Sequence, residues 1–114
     1  MNNNLGSPFS SIMVTLCRIV ESENALELKL EGELTVGHLT ALKGEILPLL
    51  GTRAETVVDL DAVEAIDGAG VQFLISLKLL LDAAGSACRV IAGAEIPRAV
   101  LANAGADLLL GVAS

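Results

Sequence analysis

The stretch that most constrains this chain is Ala65-Ile66-Asp67-Gly68-Ala69-Gly70-Val71, set between two apolar runs. Thr56-Val57-Val58-Asp59-Leu60 precedes it and reads as a β-strand. The run from Val71 to Leu81 follows and reads as a helix. Asp67 takes the position just before that helix, where a carboxylate accepts hydrogen bonds from unpaired backbone N–H groups. Gly68 and Gly70 let the backbone turn tightly and come close to whatever lies above it. Strand, short glycine loop and helix in that order predict an α/β unit with the loop at the strand's C-terminal end.

The flanking sequence extends this unit. Ile12 to Val20 reads as a first strand. From Ala25 to Glu33, Leu26, Leu28 and Leu30 alternate with Glu27, Lys29 and Glu31, the period of a half-buried strand. The short polar link Glu21-Ser22-Glu23-Asn24 predicts an antiparallel hairpin between the two. Thr35 is the expected N-cap of a first helix, whose apolar stripe is Val36, Leu39, Leu42, Ile46 and Leu49. Pro48 should distort its last turn or end it near Leu47, and Gly51 closes the segment.

Thr56 to Leu60 is apolar without clean alternation, which predicts a central strand covered on both faces. The second helix should span 67–84 with Gly85 as its stop. A strand follows over 87–92, and then a third helix with Pro97 in its first turn and Gly105 at its end. Residues 106–110 read as a short strand or an apolar tail. The fold class is therefore α/β: a single mixed β-sheet with helices in the order β-β-α-β-α-β-α, its later strands parallel and joined by right-handed crossovers.

Composition bounds the function. A chain of 114 residues fits one small domain over 12–114, with the polar segment 1–11 expected to be a disordered leader rather than a signal peptide. Hydrophobic residues make up 53%, with two Phe as the aromatics, so a compact packing of Ala, Leu, Val and Ile is expected. The apolar runs are too short to span a bilayer, so no membrane insertion and a cytoplasmic location are expected. A net charge of −7 with seven basic residues argues against nucleic acid as a partner. Cys17 and Cys88 lie in strand-like runs and read as free buried thiols rather than a disulfide. With one histidine they make no zinc site, so no metal or cofactor is expected. No Ser-His-Asp, Cys-His or paired-carboxylate arrangement is visible, which argues against an enzyme.

The Asp67-Gly68-Ala69-Gly70 loop resembles the phosphorylation loop of STAS domains, the family of bacterial anti-anti-sigma factors and sulfate-transporter tails. Leu30-Glu31-Gly32-Glu33-Leu34-Thr35, Val57-Val58-Asp59-Leu60, Val90-Ile91-Ala92-Gly93, Pro97 and Ala104-Gly105 are similar to further pieces of that family, in the same order. In the family the loop usually reads Asp-Ser-Ser-Gly, Asp-Ser-Thr-Gly or Asp-Ser-Ala-Gly, and the resemblance implies that a serine or threonine in the third place is phosphorylated by a partner kinase. Here Gly68 and Ala69 replace the hydroxyls, so no phosphorylation is expected at Ala69. The family's final helix is expected to be absent or very short before Ser114.

The resemblance implies a protein–protein interaction module like an anti-sigma factor antagonist, binding a kinase or anti-sigma-type partner through the loop and second helix. At 100° per residue, Ala69, Gln72, Ser76, Leu79 and Ala83 fall on one strip that starts at the loop, either a lightly polar solvent face or a docking surface. Asp67, Gly68, Ala69, Gly70, Gln72, Ser76 and Leu79 are thus the candidate partner-binding residues. His38, in the first turn of the first helix, reads as a surface residue. Two rivals stand beside this reading: a STAS subunit of a lipid-transport ABC ATPase or a chemotaxis-linked module, and a nucleotide or small-ligand binder at the glycine loop. The last is weakened by the lack of a lysine and by Asp67, which repels anions.

Overall fold

Leu26, Leu28 and Leu30 are buried, while Glu27, Lys29 and Glu31 between them are partly exposed, so the period of two holds the leucines on one sheet face. In the computed structural model, which describes residues 17–106 with 110 and 111, the chain forms β1 (Cys17–Glu21), β2 (Ala25–Leu34), α1 (Val36–Ile46), β3 (Glu55–Ile66), α2 (Gly68–Ala83), β4 (Ala87–Ile91) and α3 (Glu95–Asn103). The sheet order is β1-β2-β3-β4. β1 is antiparallel to β2, and β2, β3 and β4 are parallel. The expected mixed sheet and element order are those observed. The first strand is described from Cys17 to Glu21; residues 12–16 of its expected range, like the expected leader 1–11, lie outside the described residues.

β3 departs from expectation. It is twelve residues long, and its first half alternates: Thr56, Val58 and Leu60 are buried, Val57 and Asp59 only partly. One face of the sheet is covered, not two. The buried strand residues join Leu39, Leu42 and Ile46 of α1, Leu74, Leu77 and Leu81 of α2 and Leu101 of α3 in one core. The apolar Val57 misled the reading, because in register it lies between Glu27 and Arg89 on the uncovered face. That face carries cross-strand ion pairs, Arg18–Glu31 at 3.1 Å and Arg89–Glu55 at 3.9 Å.

Two register slips against β2 each add one residue to β3. Within the first, Asp61 Oδ1 accepts from the backbone N–H groups of Gly93 and Ala94 at 2.8 and 3.0 Å, tying the start of α3 to β3. At the opposite end of the sheet Arg53 donates to the Ser22 carbonyl at 2.8 Å and to Glu21 at 2.9 Å. Buried Ser86 donates to the Arg53 carbonyl at 2.9 Å. One end of the sheet is thus closed by polar contacts, and the strands' C-terminal ends carry the helix starts.

The helix limits follow local chemistry. α1 ends at Ile46 and passes into a 3₁₀ turn, Leu47–Leu49, that contains Pro48. Val36 does not join the apolar stripe: as the first residue of α1 it overhangs the sheet end and is 70% exposed. α2 ends at Ala83, and Gly85 adopts φ 78° just beyond it. α3 begins at Glu95 with Pro97 in its first turn. Leu110 is not in a strand: its N–H donates to the Ala106 carbonyl at 2.9 Å, a helical bond, and its side chain is buried in the core. Residues 107–109 lie outside the described residues. No helix among those described is long and apolar enough to cross a membrane.

Cys17 and Cys88 are both free, the first buried and the second half-buried. Burial, then the Glu45 and Glu31 carboxylates, push the Cys17 thiol up to about 12. A thiol reagent at about pH 8 should therefore leave Cys17 unmodified in the native chain and label it promptly in denaturant. Rapid native labelling of Cys17, read by mass spectrometry, would show that β1 opens readily.

Candidate protein-docking site

The two parallel β-to-α junctions meet at the C-terminal ends of β2 and β3, where Leu34 and Ile66 are register partners. Asp67, in extended backbone conformation at the N-cap of α2, holds both junctions. Its Oδ1 accepts from the Gly70 N–H at 2.8 Å and caps its own helix. Its Oδ2 accepts from the Val36 N–H at 3.0 Å and caps α1, 31 residues away. The Asp67 N–H donates to the Leu34 carbonyl at 3.3 Å. The bonds from Val36 and then Gly70 hold the Asp67 carboxyl below its ordinary value.

This corrects the capping expected of Thr35. Thr35 does occupy the N-cap position of α1, but its side chain caps nothing there. Its Oγ1 lies 3.1 Å from His38 Nδ1 instead, and Glu33 Oε1 is 3.8 Å from the same nitrogen. His38 is thereby tied to the site's rim as a half-buried residue. The N-cap role passed to Asp67, a residue remote in sequence, because the parallel junctions put it beside the first turn of α1.

The two loop glycines differ in what they do. Gly70 is buried, and a Cβ there would run into the Leu34 carbonyl oxygen and stand 2.9 Å from Ile66 Cγ2. The close passage of α2 over the end of β2 requires glycine at this position. Gly68 is exposed, and a Cβ would meet nothing within 4 Å. The fold therefore has room for a side chain at 68.

Ala69, Gln72 and Ser76 line one open groove between α1 and α2, of about 460 Å³. Ala69 is half-buried at its head, and Gln72 and Ser76 are exposed along it. Phe73 completes the α2 wall, and Val36, Leu39, Thr40 and Lys43 form the α1 wall. The single strip expected on α2 is thus divided. Leu79, 63% exposed, lines a different and smaller hollow of about 130 Å³ with Ile75, Lys78, Asp82 and Leu110. The strip was drawn on an isolated helix, and the α1 neighbour on one side decides which of its residues share a surface. The α1 wall was missed. Its signal was present in the sequence as the i, i+4, i+7 spacing of Val36, Thr40 and Lys43.

Among the described residues no three His, Cys, Asp or Glu side chains are placed to hold a metal ion. The comparison that decides the family is with a family model described as Mlab, STAS domain, which matches residues 17–111. The chain belongs to the STAS domain family. The match covers every element that builds the groove.

Solved structures agree on the STAS fold. An anti-sigma factor antagonist from Mycobacterium paratuberculosis superposes with TM-score 0.75 at 20% identity, covering 84% of this chain and 82% of that one. The Bacillus cell fate determinant SpoIIAA in its phosphorylated form gives 0.64 at 15% identity, covering 86% and 91%. Mglu gives 0.65 at 20% identity, and here the match covers 74% of this chain but spans only 21% of that one. At these identities the likeness is one of fold. A search of curated protein sequences finds no match.

Gly70→Ala should cost about 1–3 kcal/mol or more, because backbone must move to admit the methyl. Gly68→Ser should stay within about 0.5 kcal/mol of the parent. Urea unfolding of both variants measures this, and equal stabilities would mean that α2 does not pass β2 as closely as described. Asp67 also sets an acid limit. Because its folded-state pKa lies below the ordinary 3.8, the stability from its two caps is full above that value and is lost as pH falls through the folded value. Asp67→Asn should flatten the fall of the urea midpoint with pH in that acid range, and an unchanged slope would remove Asp67 as its source.

Proposed function

We propose that this STAS domain is a protein-binding module that docks through the Asp67–Gly70 loop, the Ala69–Gln72–Ser76 face of α2 and the facing wall of α1. The partner is of the kinase or anti-sigma type, and the mechanism is competition: docking withholds the partner from its other target in the cytoplasm. The observation that carries this reading is the placement of Ala69. It sits half-buried at the head of an open groove, at the loop position that in STAS phosphoswitches bears the hydroxyl. A phosphate there adds about −1.5 to −2 charges, next to Asp67. With alanine that repulsive state has no oxygen on which to form, so the domain stays competent to dock.

The nucleotide reading is weakened by the site's own chemistry. The Asp67 carboxylate already occupies the anion position at the N-termini of α1 and α2, taking the N–H donors of Val36 and Gly70. A phosphate would have to displace it. A second protein-binding reading has support in the missing hydroxyl: a permanent accessory subunit, such as the STAS subunit of a lipid-transport ABC ATPase, needs no phosphate-controlled release. Neither reading requires turnover, and we assign no catalytic role.

Affinity purification of the tagged full chain from its native cell identifies the partner. An ATPase recovered in constant stoichiometry favours the subunit reading, and a serine-kinase-like protein favours the antagonist reading. Ala69→Glu should then weaken that complex by about 2 kcal/mol, roughly 30-fold in Kd, by forcing a charge into a dry contact. Gln72→Arg should also weaken it while leaving the thermal midpoint unchanged. Full affinity in both variants would place the interface elsewhere. Incubation with the recovered kinase and ATP should leave the loop free of phosphate by mass spectrometry. Stoichiometric phosphate on Ser76 or Thr35 would overturn the idea of a lost switch.

A further inference from the structure

The groove between α1 and α2 differs in charge from the rest of the molecule. The chain carries −7, yet Lys43 holds the one charge among the described residues that line this groove. Lys43 is exposed and, like Lys29 and Arg98 and unlike Arg18, Arg53, Lys78 and Arg89, enters no ion pair among the described residues; of Lys29, Lys43 and Arg98, Lys43 alone lines this groove. Val36, 70% exposed, and half-buried Ala69 offer apolar surface in the groove, and the largely buried Leu39 and Phe73 form its floor. Thr40, Gln72 and Ser76 are polar without charge.

The groove also has a direction and a length. α1 and α2 follow parallel strands and start from one shared cap, so their walls run side by side. From Ala69 to Ser76 the α2 wall covers two helical turns, about 10 Å at about 1.5 Å per residue. That matches the i, i+3 or i+4, i+7 anchors of an amphipathic helix laid into a groove.

The geometry points to an acidic amphipathic helix of the partner as the occupant, with its apolar side chains seated on Leu39, Ala69 and Phe73 and a carboxylate paired with Lys43. This inference rests on the docking reading above and adds the partner's chemistry to it. Lys43 becomes the residue that selects the partner's sign, since it is the one charge lining the groove and no carboxylate pairs with it among the described residues. The pair lies at the rim, so its contribution is one of selectivity and falls with salt.

The test uses a displayed library of amphipathic helical peptides selected on the full chain, with the amide resonances of α1 and α2 as the map of where they bind. Selected peptides should carry Asp or Glu one turn from a large apolar residue, and should shift resonances between Leu39 and Lys43 and between Ala69 and Ser76. The same selection on Lys43→Glu should enrich Lys or Arg at that position. Lys43→Glu should weaken the acidic peptides about five- to tenfold at low ionic strength, and Lys43→Arg should keep them. Selection without acid enrichment, acid enrichment that survives Lys43→Glu, or shifts confined to other elements would each overturn the inference. The docking reading fails separately: it falls if Ala69→Glu and Gln72→Arg leave the co-purified partner's affinity intact. A partner sensitive to those two variants and indifferent to Lys43→Glu would leave the docking surface standing and remove Lys43 as its selector.

Discussion

The two oxygens of Asp67 hold the starts of two helices together. One caps α2, the other caps α1, and the residue's own N–H returns to β2 at Leu34. Unpaired helix N–H groups are costly where they cannot reach water, and a single carboxylate here serves two helices. Because both caps share one side chain, the first turns of α1 and α2 cannot separate without losing one of them. The groove between the helices inherits its geometry from this shared cap.

The passage of Gly70 over the Leu34 carbonyl acts in the same direction. It draws the start of α2 against the end of β2 and sets Ala69 at the head of the groove, turned between the helices. The same closeness does not extend to Gly68, where a side chain has open space. Glycine at 68 is therefore not a demand of the packing, whereas the loop keeps at 70 the glycine its packing needs.

The division of labour across the sheet is physical as well. One face is covered by three helices around a continuous leucine and valine core, and the other carries cross-strand ion pairs. One end of the sheet is sealed by the Arg53 and Ser86 hydrogen bonds. At the other end the strands run into helix N-termini, with Asp67 and Asp61, both contributed by β3 or its edge, receiving their N–H groups. Ligand and partner sites of parallel sheets gather at such ends because connections there are free to vary while the scaffold below stays fixed.

The sequence by itself determined the elements and their order. Alternation over Leu26–Leu30, the helical run after Gly70 and the stops at Pro48, Gly85 and Gly105 are local signals, carried by residues within a turn or a pleat of one another. They were sufficient to predict the mixed sheet and to place Ala69, Gln72 and Ser76 along one face of α2. What lies across the sheet or between helices was decided by tertiary structure alone. Val57 reads as buried until Glu27 and Arg89 flank it in register. Thr35 reads as a cap until Asp67 arrives from 31 residues away. Leu79 reads as part of the docking strip until α1 packs beside Ala69 and Ser76 but not beside it. Each of these depends on a neighbour brought in by chain reversal, and a one-dimensional period carries no information about which of its faces that neighbour will cover.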